Sequence, residues 1–324
     1  MIGSAKAISD WIKDHDDIAV ITHIRPDGDA FGSALALTFA IRALGKRAFA
    51  ACDDKADKKY LFLPEIDGVS TVDNMPFMPK AVLSADVSEK NRMGKWENVF
   101  DNTASQALLD HHATNPGFAG TLYIDENAAS TGELAMEVIK ELGVKLTKDI
   151  AVCLFTAIST DCGNFSFQNT TPRAYISTAE CVEAGADVEE LTRRLYRTRS
   201  YEKTRLMGLA LSRIELNADG KVASVAIDNE MFKEAGAEHS DTNSIVNYLN
   251  EIEGVEIGFT AEEIEGGVKF SFRAAGGANV ASLAKEFGGG GHIAAAGATV
   301  MGVSIKEIYP KAIEAAVRHA RGNA

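Results

Sequence analysis

The chain has 324 residues, 46% of them hydrophobic, more apolar material than one core usually holds, which predicts two domains. Its 33 basic and 46 acidic residues leave a formal net charge of −13. That charge excludes nonspecific coating of duplex DNA or another long polyanion, so a phosphate-bearing substrate has to meet a local cationic site of metal ions, arginines or backbone amides. Cys52, Cys153, Cys162 and Cys181 form no C-x-x-C pair, no basic stretch leads into an apolar run at the N-terminus, and no segment nears the roughly 18 uninterrupted apolar residues of a membrane helix. The expectation is a soluble cytoplasmic protein without structural disulfides or a membrane partner.

The N-terminal half alternates short apolar runs with helical patterns, as a doubly wound, mainly parallel α/β sheet does. Ile18 to Ile24 reads as a strand and Ala30 to Leu44 as a helix ended by Gly45, with Pro26-Asp27-Gly28-Asp29 in the loop between them. Further buried strands are expected at Arg47 to Cys52, Ala81 to Ala85, Gln106 to Leu109 and Thr121 to Ile124. Helices are expected over Thr131 to Leu142, Asp149 to Ile158, Pro172 to Ala184 and Val188 to Arg197. Ser130-Thr131-Gly132-Glu133 fits a capping box, with the serine oxygen taking a backbone N–H and the glutamate reaching back, and is read as helix initiation.

Arg193, Arg194, Arg197, Arg199, Lys203 and Arg205 crowd the region that follows. Flanked by Glu189, Glu190 and Glu202, they read as a solvated helical linker over 191–210 rather than a nucleic-acid patch. It would join a domain over 1–190 to a smaller α+β domain over 211–324. The smaller domain holds two hairpin patterns, Arg213 to Ile227 turning at Asp219-Gly220 and Val255 to Phe272 turning at Gly266-Gly267. Val280 to Phe287 reads as a helix, Gly288 to Gly291 as a loop, and Ile293 to Ala296 as the start of another helix. Four consecutive glycines need a reason, and amides aimed at a phosphate at a helix N-terminus, with His292 donating to the same group, would supply one.

Chemistry-bearing residues collect where apolar runs end. His23, Asp27 and Asp29 follow the first strand, Asp86 follows Ala81 to Ala85, Asp110, His111 and His112 follow Gln106 to Leu109, and Asp161 ends Val152 to Ile158. In an open α/β sheet such positions meet at one rim. A single aspartate after a strand is ordinarily a cap or turn former. Recurrence at four separated places, and the cost of burying like charges without cations, point instead to a dinuclear metal site. The donors are all nitrogen or oxygen, which suits two divalent ions; manganese ranks first because it tolerates imidazole beside carboxylate, ahead of magnesium or cobalt. Two such ions about 3.5–4 Å apart lower the pKa of a shared water and clamp phosphate oxygens, making hydroxide the nucleophile. Phe165, Phe167 and Tyr175 are expected in the core rather than as base-stacking platforms.

The ordered motifs Thr22-His23-Ile24-Arg25-Pro26-Asp27-Gly28-Asp29-Ala30-Phe31-Gly32-Ser33, Ala85-Asp86, Asp110-His111-His112, Thr160-Asp161-Cys162-Gly163-Asn164-Phe165 and Gly288-Gly289-Gly290-Gly291-His292 resemble those of the DHH/DHHA1 phosphoesterases, and within them the nanoRNase and pAp phosphatase branch. Nearly the whole chain is covered. The resemblance implies a DHH domain and a DHHA1 domain with a cleft between them. It implies one metal on His23, Asp27 and Asp86 and a second on Asp29, His111, Asp86 and Asp161, with Asp86 bridging. His112 would contact the scissile phosphate or its leaving group, Asp110 would orient a histidine, and Arg273, Gly289, Gly290, Gly291 and His292 would grip the substrate's terminal phosphate or nucleotide. A homodimer through the larger domain is also implied. Arg25 departs from the asparagine common in relatives, and Ser166 from a basic residue; neither is a proposed ligand.

The expected activity is Mn-dependent hydrolysis of oligoribonucleotides of two to five units to mononucleotides, and of 3'-phosphoadenosine 5'-phosphate (pAp) to AMP. Cyclic dinucleotides such as c-di-AMP are the competing substrates within the family. The glycine motif counts against a pyrophosphatase, and the lack of an added nucleic-acid-binding domain counts against single-strand exonucleases of the RecJ kind. A noncatalytic nucleotide sensor is the reading from a different class; the complete set of six metal positions argues against it.

Overall fold

The computed structural model describes every residue except Gly276, Arg321, Asn323 and Ala324. It divides into two compact units, Met1–Thr198 and Arg199–Ala324. The first begins with a two-residue strand β1 (Ile2–Gly3) and helix α1 (Ala5–Asp14), followed by β2 (Ile18–Ile21), α2 (Gly28–Ala43) and β3 (Ala48–Ala51). Then come β4 (Ala81–Ala85), α3 (Trp96–Asn102), β5 (Ser105–Asp110), β6 (Thr121–Ile124), α4 (Thr131–Glu141), α5 (Lys148–Asp161), α6 (Pro172–Glu183) and α7 (Val188–Thr192). The strands pair in the order β1-β6-β5-β4-β2-β3, all parallel except β1. Strands β2, β3 and β4 are buried at every residue, which is why they read as unbroken apolar runs: parallel strands covered on both faces have no wet side. Ile8, Phe31, Leu37, Leu109 and Phe155 belong to the core on one face, and Phe49, Trp96 and Phe100 to that on the other.

Helix α2 is apolar nearly all round because it is enclosed: it packs on β3 and beneath α4 and α5. Glycine makes this possible. A Cβ on Gly32 would overlap the Cys153 carbonyl oxygen, and one on Gly28 would overlap the Thr160 side chain. Two glycines four apart thus let α5 close onto α2, bringing the end of α5 to the start of α2. Gly32→Val should overpack this contact and destabilise the chain by about 1–3 kcal/mol in urea denaturation; an unchanged midpoint would show that α5 can move away freely.

Two boundaries differ from expectation for physical reasons. Strand β2 stops at Ile21 because the chain turns off the sheet after Thr22 N–H bonds Ala51 O, and Ile24 N–H bonds Arg92 O instead. Helix α5 runs three residues past Ile158 to Asp161, with the Thr160 hydroxyl bonded back to Thr156 O (2.8 Å). The helix expected to reach Arg197 ends at Thr192 and widens into a π turn over Arg193–Arg197.

The second unit contains α8 (Tyr201–Leu211), β7 (Glu215–Asn217), β8 (Val222–Ile227), α9 (Asn229–Ala235), α10 (Ile245–Asn250), β9 (Ile257–Ile264), β10 (Gly267–Ala274), α11 (Val280–Lys285), β11 (Gly290–Gly291), β12 (Ala295–Met301) and α12 (Ile305–Ala320). Its sheet order is β11-β12-β10-β9-β8-β7, antiparallel except for β8 beside β9. Both expected hairpins form, but the second turns at Glu265-Gly266: Gly267 is already paired with Ile264. The whole is a mixed α/β fold with, among the described residues, two six-stranded sheets, and no described helix is long and apolar enough to cross a membrane.

The expectation for Ile293 to Ala296 is overturned. Ala295–Met301 is a strand paired along β10 from Ala295 opposite Arg273 to Met301 opposite Gly267, so sheet pairing overrides the helix preference of three alanines. The glycine run therefore does not sit at a helix N-terminus. It closes the C-terminus of α11: Gly288 N–H bonds Lys285 O, Gly289 N–H bonds Ala284 O, and Gly288 has φ +72°, a Schellman arrangement. Gly289 and Gly291 lie so close to β12 that a Cβ on either would meet its backbone, whereas Gly290 faces open space. Two of the four glycines are thus needed for close approach to protein backbone.

Candidate metal and phosphate site

His23, Asp27, Asp29, Asp86, His111 and Asp161 come together at the C-terminal edge of the first unit's sheet, with His112 beside them. Three sets of donor atoms, His23/Asp27/Asp86, Asp29/His111/Asp161 and Asp86/His111/His112, each lie within 4.8 Å of one another. Asp86 stands between two histidines: its Oδ2 is 3.5 Å from His23 Nε2 and its Oδ1 3.8 Å from His111 Nε2. The Asp86 backbone is left-handed, φ +61°, a conformation that aspartate tolerates better than most residues. His111 Nε2 also lies 3.3 Å from Asp161 Oδ2 and 3.9 Å from Asp29 Oδ2, and His23 Nε2 lies 4.0 Å from Asp27 Oδ1.

Backbone and hydroxyl groups hold these donors in place. Asp29 is buried and accepts from Thr131 N–H (2.7 Å), Gly132 N–H (2.9 Å) and the Ser33 hydroxyl (2.9 Å), while Thr131 Oγ1 donates to Asp86 Oδ1 (3.0 Å). The first turn of α4, read from sequence as helix initiation only, is also the clamp on two acidic residues. Its capping box is altered: the Ser130 hydroxyl accepts from Glu133 N–H (3.3 Å), but the Glu133 carboxylate accepts from Ala129 N–H (3.4 Å) and pairs with Arg173. His23 Nδ1 is 2.8 Å from Ile24 O and 3.0 Å from Arg92 Nη2, which orients the ring so that Nε2 faces Asp86. His111 Nδ1 faces Ala128 O at 3.3 Å, which turns its Nε2 toward Asp86, Asp161 and Asp29.

Asp110 stands outside the donor sets. Fully buried, it accepts from His112 Nδ1 (2.7 Å) and from the Asn115 amide, so it orients His112 rather than adding a donor to the cluster. That hydrogen bond, with help from the Asp110 and Asp86 charges, outweighs burial and raises His112 to about 9. Burial, then the negative charges of Asp86, Asp161 and Asp27, pushes Asp29 well above the usual carboxylate range. Burial also raises Asp161 to about 6 against the opposing pull of His111. Asp86 is held down to about 2, because the hydrogen bond from His23 and the charges of His111, His23 and His112 overcome its burial. Among the described residues Asp29 and Asp86 have ion-pair partners only in histidines. Buried like charges without lysine or arginine, ringed by imidazole nitrogens, suit divalent cations.

Thr131, Gly132, Ser33, Arg92 and Asn115 are contacts that the sequence reading missed; only the serine and threonine beside an acidic motif hinted at them. Arg25 has φ +53° and its N–H bonds Asp54 Oδ2 (2.6 Å), a left-handed position that asparagine would fit more easily. Phe167 and Tyr175 are exposed rather than core, while Phe165 stacks on Tyr175 with ring centroids 5.2 Å apart. A left-handed turn over Gly163, Asn164 and Phe165 follows α5.

In the second unit, pairing of Arg273 with Ala295 places the start of the β11–β12 turn, where His292 N–H bonds Ala295 O, beside the end of β10. Gly290, Gly291 and His292 are exposed, Gly289 is half-buried, and Arg273 Nη1 donates to Phe272 O (3.0 Å).

The fold and cluster are those of a DHH-type phosphoesterase. Residues 17–158 match the DHH family N-terminal domain and residues 219–321 the DHHA1 domain. The chain is 37% identical to the bifunctional oligoribonuclease and PAP phosphatase NrnA of Thermus thermophilus, over 92% of this chain and 88% of that protein. It is 28% identical to the protein of the same name from Bacillus subtilis, over 88% and 90%. Its fold resembles that of an exopolyphosphatase-related protein from Bacteroides fragilis, with a TM-score of 0.87 and 23% identity, covering 98% of this chain and 97% of that one. The chain belongs to the DHH/DHHA1 phosphoesterase family.

Proposed function

We propose that this chain hydrolyses short oligoribonucleotides to mononucleotides and pAp to AMP in the cytoplasm, with two divalent ions, manganese foremost. The observation that carries the proposal is the placement of Asp86, each oxygen facing a different histidine, which would let one carboxylate serve both halves of a dinuclear site. His23, Asp27 and Asp86 would hold one ion, and Asp29, His111, Asp161 and Asp86 the other. Such a pair supplies a water of lowered pKa and charge neutralisation on the phosphate. The chain's own residues do the rest. The α4 amides keep the Asp29 oxygens fixed, and the Ile24 and Ala128 carbonyls keep the two ring nitrogens pointed inward. His112, tethered by Asp110, keeps Nε2 free to contact the scissile phosphate and to deliver a proton to the leaving oxygen. Arg273, Gly289, Gly290, Gly291 and His292 would anchor the substrate's terminal phosphate or nucleotide, an interaction suited to guanidinium and imidazole donors. The net acidity supports short anionic substrates, and the names of the two NrnA relatives support the pairing of nano-RNA with pAp.

The test is Mn-dependent hydrolysis by the purified chain of pApA, longer 5'-phosphorylated oligoribonucleotides, pAp, c-di-AMP and pyrophosphate in parallel. Mononucleotide from the shortest RNAs together with phosphate from pAp is expected. Preferential opening of c-di-AMP would move the function to second-messenger turnover, and silence on all five would revive the reading as a noncatalytic nucleotide sensor. His292→Ala is expected to raise KM about 10- to 100-fold with kcat nearly unchanged, the loss of one hydrogen bond to a charged group; a fall in kcat at constant KM would remove His292 from the anchor.

A further inference from the structure

We infer that Asn169 and Arg173, outside every motif described so far, are positioning residues that lock the metal cluster from behind; the inference rests on reading that cluster as a metal site. The segment Asp125–Gly132 supplies four of the groups that orient the cluster: the Ala128 carbonyl beside His111 Nδ1, the Thr131 and Gly132 amides on Asp29, and the Thr131 hydroxyl on Asp86. Such contacts hold ligands only as firmly as the segment itself is held.

Two side chains of the stretch Asn169-Thr170-Thr171-Pro172-Arg173 hold it. Asn169 Nδ2 donates both to Ala129 O (3.0 Å) and to Asp161 O (3.1 Å), tying the loop before α4 to the end of α5. One amide thus joins the backbone next to the His111 contact and the backbone of a proposed ligand. Arg173 Nε donates to Glu133 Oε2 (2.7 Å) and its Nη1 to Asp125 Oδ2 (3.0 Å), with Glu137 Oε1 at 3.5 Å. The two first-named carboxylates are buried and lie at either end of the segment, and the same Glu133 oxygen also takes Ala129 N–H. Arginine is fitted to this because its planar fork reaches two carboxylates in fixed directions, which a lysine ammonium does not.

The arrangement is a poor stabiliser. Glu133 Oε1 and Arg173 Nη2 are buried and find no hydrogen-bond partner among the described residues. A buried ion pair is often no better than apolar packing of the same volume, and unpartnered polar atoms cost more. What it does provide is direction: it fixes where Ala128 O, Thr131 and Asp161 stand relative to one another.

The test measures Mn2+ affinity by calorimetry alongside kcat, KM and the melting temperature of the chelated protein, for Asn169→Ala, Arg173→Lys and Arg173→Ala in the full chain. Asn169→Ala and Arg173→Lys are expected to weaken Mn2+ binding and lower kcat by about 10- to 100-fold each, with KM unchanged and chelated melting close to wild type. Arg173→Ala should lose more than Arg173→Lys. Since calorimetry needs no substrate, the inference stands or falls even if the proposed nucleotides are not hydrolysed. Wild-type Mn2+ affinity in both Asn169→Ala and Arg173→Lys would overturn it. So would lowered melting with unchanged affinity and kcat, the mark of a merely structural role.

Discussion

Replacing Asp86 with alanine is expected to abolish hydrolysis while leaving the fold intact. Asp86 offers one oxygen to the His23 side of the cluster and the other to the His111 side. Its loss therefore disconnects two donor sets at once, where loss of Asp27 or Asp161 would thin only one. If the paired ions contribute several kcal/mol to the transition state, and each 1.36 kcal/mol is tenfold in rate, kcat/KM should fall at least about 1,000-fold. Asp86 is held down to about 2 by the histidines around it, so its charge stabilises the fold at neutral pH, and the chelated variant should melt somewhat lower than chelated wild type while still unfolding in one cooperative transition. Turnover within about tenfold of wild type, under saturating Mn2+, would sink the shared-carboxylate model; full inactivity with a collapsed melting transition would trace the loss to folding instead.

The convergence of His23, Asp27, Asp29, Asp86, His111 and Asp161 was legible in the sequence because each stands at the end of an apolar run, and parallel strands ending at one sheet edge bring such positions together. His23, Asp86 and His111 needed only that rule. Asp161 required more, since it closes a helix, and it reaches the cluster because Gly28 and Gly32 let α5 lie against α2. The supporting layer was not legible. Thr131 and Gly132 looked like a helix start because a capping sequence carries no mark of what its amides face, and Asn169 and Arg173 act at a separation of 40 residues from Ala129 and Glu133. The placement of the glycine run at a helix start was misread for the opposite reason. Gly288 to Gly291 is as well suited to capping α11 and lying against β12 as to cradling a phosphate, and local sequence does not separate these uses. The alanines after it suggested helix, but pairing with β10 decided for strand.

Metal removal should turn the same cluster from a source of stability into a liability, with a defined pH signature. In the chelated protein Asp161 is raised to about 6 and Asp29 lies well above the usual carboxylate range, both first by burial. A carboxylate whose folded pKa exceeds its unfolded value near 3.8 binds its proton more tightly when folded, so the fold loses stability as pH rises between the two values. Chelated wild type should therefore lose stability between about pH 4 and 6, on the order of 2 to 3 kcal/mol from Asp161 alone at 1.36 kcal/mol per unit. Other shifted groups of the cluster act elsewhere: Asp86, lowered to about 2, acts below this window, and His112, raised to about 9 from 6.5, between about pH 6.5 and 9. Asp161→Asn should flatten the decline and raise the chelated melting temperature at pH 7. Adding Mn2+ at about 100 times its Kd should give wild type about 2.7 kcal/mol and the variant much less, so the order of melting temperatures should reverse between chelator and metal. Calorimetric melting across pH 4 to 8 in both states reads this out. A flat chelated wild-type curve from pH 4 to 6, or equal Mn2+ increments in the two proteins, would mean that Asp161 neither carries the buried charge nor shares in holding the ion.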